Sequence, residues 1–82
     1  MSVWQLAEAL RAASATLTGA QALLTGGAAL PLEQARAGLL AVRREGDDFH
    51  PAELDLALAE LTRAAELVAL ARETIDDYAT RL

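Results

Sequence analysis

The chain has 82 residues, no cysteine, 54% apolar residues and a formal net charge of −5. This length builds one domain, 1–82, and a domain so short covers a smaller share of its surface than a large one does. Without cysteine, disulfide staples and thiolate metal sites are excluded, so stability rests on packing or on association.

Only 4% of the residues are aromatic. The apolar content is mostly Ala and Leu, which favours helix over a strand-rich fold built from Val, Ile and aromatics. The charge is uneven: residues 1–46 hold three acids and four arginines, residues 47–82 nine acids and three arginines, so the halves carry +1 and −6. No basic face is available for phosphate, which excludes nucleic acid as a partner. The acidic half reads as a solvated outer face. The start, Met1-Ser2-Val3-Trp4-Gln5, lacks the basic region of a secretory signal, and no apolar run approaches the roughly 20 residues of a bilayer span. The expectation is a soluble, cytoplasmic chain.

In chain order, Ser2 and Gln5 form an S-x-x-Q capping box, with Met1 and Leu6 at the positions of a hydrophobic staple. The first helix is predicted over about 2–25, ending where Gly26 and Gly27 offer a positive-φ residue. Val3, Leu6, Leu10, Ala13, Leu17, Ala20 and Leu24 step along it by threes and fours, the spacing of a seam that lies along another helix. Gly19 lies among the small residues Ala9, Ala12 and Thr16, where a second helix is able to approach closely.

Pro31 fits the first position of a second helix, predicted over 31–45 and stopped by Gly46. Its inner stripe reads Leu32, Ala35, Leu39 and Val42, with Leu40 beside it; Glu33 complements one end of the dipole and Arg43 and Arg44 the other. Gly46-Asp47-Asp48-Phe49-His50-Pro51 is the sharpest turn signal. The third helix, 51–82, repeats the seam spacing at Leu54, Leu58, Leu61, Ala65, Val68, Arg72, Ile75, Ala79 and Leu82. Leu56, Leu67 and Leu70 fall on a second face, Leu67 and Leu70 each within about 40° of Leu56 at 100° per residue.

The fold class is therefore all-α with coiled-coil-like packing. Two arrangements cover both faces of the third helix: a three-helix bundle, or an antiparallel helical hairpin whose second face closes on another subunit. The interface candidates are Leu56, Leu67 and Leu70, with Tyr78 and Trp4 at the edges, since a large amphipathic ring near a helix start suits an interface anchor.

Residues able to carry chemistry have simpler structural readings. His50 is the sole histidine and has no companion at metal-ligand spacing. Asp47, Asp48 and Glu53 lack the spaced pattern of a calcium loop. Asp76 and Asp77 are splayed about 100° apart by helix geometry, so they do not converge, and Asp77 with Arg81 reads as an i,i+4 surface pair. Arg72 interrupts an apolar stripe; it snorkels outward, pairs with Asp76, or fixes a register. Neither Ser2 nor Ser14 lies in the Asp-Ser-Leu attachment motif of acyl carrier proteins, and GxxxxGK[ST], CxxC and HExxH are absent. No enzyme, cofactor or metal is predicted. The function expected is a helical interaction or assembly module, a homo-oligomer or part of a helical complex. The alternative is an adaptor or chaperone-like accessory protein of a secretion or toxin system.

With the turn at Gly46 to Pro51 dividing the chain nearly in half, the layout resembles the small helical-hairpin proteins of type VII secretion, the Trp-Xaa-Gly family. The turn holds Gly46-Asp47-Asp48-Phe49 in place of Trp-Xaa-Gly, and Tyr78 is followed four residues later by Leu82 in place of an acid. The resemblance implies a dimeric protein exported without a cleaved signal.

Overall fold

The computed structural model describes residues 1–42, 46 and 50–82. Helices α1 (Val3–Ala22), α2 (Ala29–Ala41) and α3 (Ala52–Thr80) make up the fold, and among the described residues there is no strand. α1 and α2 are not separate rods. A π-helical turn, Leu23–Ala28, joins them into one long arm, and α3 returns along it as the second arm of a helical hairpin measuring 65 × 16 × 15 Å. α3 packs against α1, the π turn and α2 in succession, and α2 does not touch α1. Of the two arrangements open to the sequence, the hairpin is the one adopted.

The start of α1 follows the predicted chemistry. Ser2 Oγ accepts from the Gln5 amide and Gln5 Oε1 accepts from the Ser2 amide, each at 3.0 Å, so two backbone donors with no intrahelical partner are satisfied reciprocally. The staple does not close: Met1 lies almost wholly in solvent.

Gly26 and Gly27 do not end the helix. Pro31 is the physical reason the chain widens there. Inside a regular helix a proline leaves the carbonyl four residues back without a donor and drives its ring against it. The π turn lies one turn ahead of Pro31 and opens that carbonyl ladder; the Ala29 amide donates five residues back, to Leu24 O. Thr25 Oγ1 donates to Gln21 O at 3.0 Å, giving a loosened carbonyl a second partner. Pro31 thus sits within the long arm and not at the head of a new helix. The inward stripe of α2 is also different from the one predicted: Leu32, Arg36 and Leu40 are partly covered, whereas Ala35, Leu39 and Val42 face solvent.

α2 ends at Ala41, short of the predicted 45. Arg43, Arg44 and Glu45, and the turn residues Asp47, Asp48 and Phe49, lie outside the described residues. Gly46 takes φ +79°, a left-handed conformation open to glycine, but it is not the residue that ends α2, whose C-cap is Val42. Pro51 caps α3 and does not occupy its first turn; its carbonyl accepts from the Leu54 and Asp55 amides, and Glu53 and Asp55 stand at the positive end of the dipole.

The seam between the arms is thin. Leu6, Leu10, Leu17 and Leu24 on the first arm and Leu61, Ala65, Val68 and Ile75 on α3 are among the covered apolar residues of its α1 half. Leu54 and Leu58 lie at the level of α2, as the Arg36–Asp55 pair fixes it, and among the described hydrophobic residues only Ala65 is fully closed, at 8% exposure. Val3, Ala13 and Leu82, assigned to the seam by spacing, are exposed; Ser14 and Gln21 take inward positions instead. At Gly19 an added Cβ would meet open space, so no helix of the chain makes the close approach expected there.

Candidate association surface

Among the described residues, three polar connections fix how the arms lie against each other. Near the open end Ser14 Oγ donates to Asp76 Oδ1 at 3.0 Å. Midway, Arg72 Nη1 donates to Gln21 Oε1 at 2.8 Å. At the turn end Asp55 is shared: one oxygen accepts from Arg36 Nε on α2, and the other lies 2.8 Å from His50 Nε2. These contacts give His50 a structural partner. They also replace two pairings read from the sequence, since Arg72 crosses to α1 instead of snorkelling or pairing with Asp76, and Asp77 forms no ion pair with Arg81.

Arg72 is the position where sequence reasoning stopped short. Its Nε is enclosed and has no hydrogen-bond partner. Arg72 was legible as a polar residue on an apolar stripe, whereas its partner Gln21 stood beside the predicted stripe of α1 and carried no signal. Gln21 is an inward residue because the seam of α1 is broader than its spacing suggested and holds Ser14 and Gln21 alongside Leu10, Leu17, Ala20 and Leu24.

The predicted interface residues are all at the surface of the hairpin. Leu56, Leu70 and Tyr78 are about half exposed or more, Leu67 is 50% exposed and Trp4 72%. At 100° per residue Leu56, Leu67 and Tyr78 share one side of α3, with Leu70 at the hairpin's outer edge. Trp4 does not join them. It sits on α1 towards the opposite broad side, where an open groove of about 500 Å³ runs between the arms, lined by Ala7, Arg11, Ser14, Thr18 and Asp76 among others. Leu23, Leu30 and Val42 add exposed apolar side chains along the first arm that the sequence reading did not assign to a surface.

Among the described residues no group of three His, Cys, Asp or Glu side chains could hold a metal ion, and no helix is long and apolar enough to cross a membrane. No family model, curated protein or solved structure matches the chain.

Proposed function

We propose that the chain is a non-enzymatic helical interaction and assembly module, working as a homo-oligomer or as one part of a helical complex. One observation carries the reading: in a chain that is 54% apolar, a single alanine is enclosed among the described hydrophobic residues, while twelve large hydrophobic side chains among them are exposed. Hydrophobic burial is the main favourable term in folding, and scattered exposed leucines are ordinary on a protein that has a core elsewhere. A two-helix hairpin has no elsewhere. Its remaining apolar surface is covered by other helices, and coiled-coil-like packing between arms of different chains is the natural geometry for that.

The groove between α1 and α3 favours a second reading, an adaptor that holds a helix of a secretion or toxin partner, because its walls include the small residues Ala7, Ala15 and Ala79. The type VII hairpin resemblance belongs with this reading and carries signal-less export with it; the first reading needs only a cytoplasmic protein. Light scattering and circular dichroism on the isolated chain test the association common to both. A helical oligomer, or a poorly helical monomer that orders with a partner, supports it. A fully helical monomer whose melting temperature is independent of concentration would overturn it.

A further inference from the structure

The hairpin has two broad faces, and they differ in chemistry. On the face that holds the groove, Arg11 and Asp76 stand among hydroxyl side chains, and at 100° per residue Glu66 and Glu73 project to the same side of α3. On the other face no charged side chain projects from α1 between Ala9 and Leu23. None projects from α3 beyond Glu60: Arg63, Glu66, Glu73, Asp76, Asp77 and Arg81 all fall on the outer edge or the groove side, and Arg72 lies in the seam. Ala13, Ala20 and Leu23 of α1 lie level with Tyr78, Ala71 and Leu67 of α3 on this uncharged face, a level fixed by the Ser14–Asp76 and Gln21–Arg72 bonds.

The chain exposes 6040 Å². A compact monomer of 8.6 kDa exposes about 4,700 Å². The difference of about 1,300 Å² exceeds the roughly 800 Å² that each partner contributes to a standard stable interface.

We propose that the uncharged half of this broad face, Ala9–Leu23 of α1 with α3 beyond Glu60, pairs with the same surface of a second copy, about a two-fold axis parallel to the helices, to close a four-helix arrangement with both turns at one end and with Glu53 and Glu60 beyond the paired region. This rests on the association reading above and names its partner and surface. A two-fold interface must be self-complementary, each residue meeting its counterpart's neighbour in both directions. This axis lays α1 of one copy over α3 of the other at the same level, so Ala13 receives Tyr78, Ala20 faces Ala71 and Leu23 meets Leu67, and each pair is apolar and recurs on the other side of the axis. At the Ala13–Tyr78 pair a large ring is set against a small residue, an arrangement that fills space between facing helices. The groove face, with its carboxylates, stays in water.

Sedimentation of the full chain tests the pairing. The chain sediments as a dimer of twice 8.6 kDa at micromolar concentration. Ala71→Glu, exposed and harmless in one hairpin, places two carboxylates in the closed face and weakens the dimer by about 100-fold or more. Thr18→Glu, on the groove face, leaves it unchanged. Because the chain has no cysteine, mixed Ala13→Cys and Tyr78→Cys chains report the orientation: they cross-link to each other faster than either does to itself. A dimer indifferent to Ala71→Glu, or single-cysteine chains that cross-link only to themselves, overturns this face and axis and leaves the association reading standing. A poorly helical monomer that orders only with a different protein overturns the self-pairing alone. A stable helical monomer overturns both.

Discussion

Arg72 and Gln21 meet across the hairpin with Nη1 2.8 Å from Oε1, and the same guanidinium keeps its Nε enclosed without an acceptor. The two partners therefore respond differently to truncation. Gln21→Ala leaves a partly covered cation with one acceptor fewer and is expected to cost about 1 to 3 kcal/mol. Arg72→Met removes the unsatisfied donor together with the charge and fills similar space, so stability is expected to stay within about 1 kcal/mol of the parent or to rise. Urea unfolding midpoints check this, and a larger loss for Arg72→Met than for Gln21→Ala would refute it.

Leu61 faces the first arm beside the π turn and is half-buried. Truncating a buried leucine costs about 2 to 5 kcal/mol through lost burial and the cavity left behind. Leu61→Ala is expected near the lower end of that range, because part of the side chain already touches water. That remains a large fraction of what so small a domain has available. Thermal melts at fixed concentration measure it.

Leu67 is not internal to the hairpin, so Leu67→Asp places its carboxylate in solvent once the chain is alone. The expected result is a helical species of lower mass than the parent. Loss of the helical dichroism would show that Leu67 belongs to the chain's own core.

Asp55 joins α2, α3 and His50 at the turn end. It and Arg36 are both partly exposed, which limits the pair to about 1 kcal/mol or less. Asp55→Asn is expected to lower stability by that amount in dilute buffer, and the difference from the parent should shrink in 1 M salt. A penalty that salt does not reduce would assign Asp55 to capping α3 instead of to the ion pair.

The elements written in local chemistry were legible in the sequence: the Ser2–Gln5 box, the Leu54–Ile75 stripe and the extent of α3. What was not legible depended on a tertiary choice. Gly26, Gly27 and Pro31 carry every local mark of a helix end, yet continuing as a π turn keeps the backbone bonded and lets Leu24, Ala28 and Leu32 stay under cover of α3. The interface residues were recognisable as a second apolar face, because leucines opposite a seam have no partner in a hairpin. Their division between two broad sides, with Trp4 on one and Leu67 and Tyr78 on the other, required knowing which flank of each helix the seam leaves open.

The π turn also sets the angular phase of everything after it. Counted at 100° per residue from Leu10, an unbroken helix would carry Leu32, Arg36 and Leu40 to about 40°, 80° and 120° from the seam, turning the far half of the arm away from α3. One extra residue taken up in the wide turn rotates them back by about one step, and the chain remains in contact as far as the Arg36–Asp55 pair. The turn works as a slip joint. A single-residue insertion or deletion in Leu23–Ala28 re-aims α2 while leaving the register of α1 on α3 untouched, so the two halves of the long arm are free to diverge in sequence independently of each other.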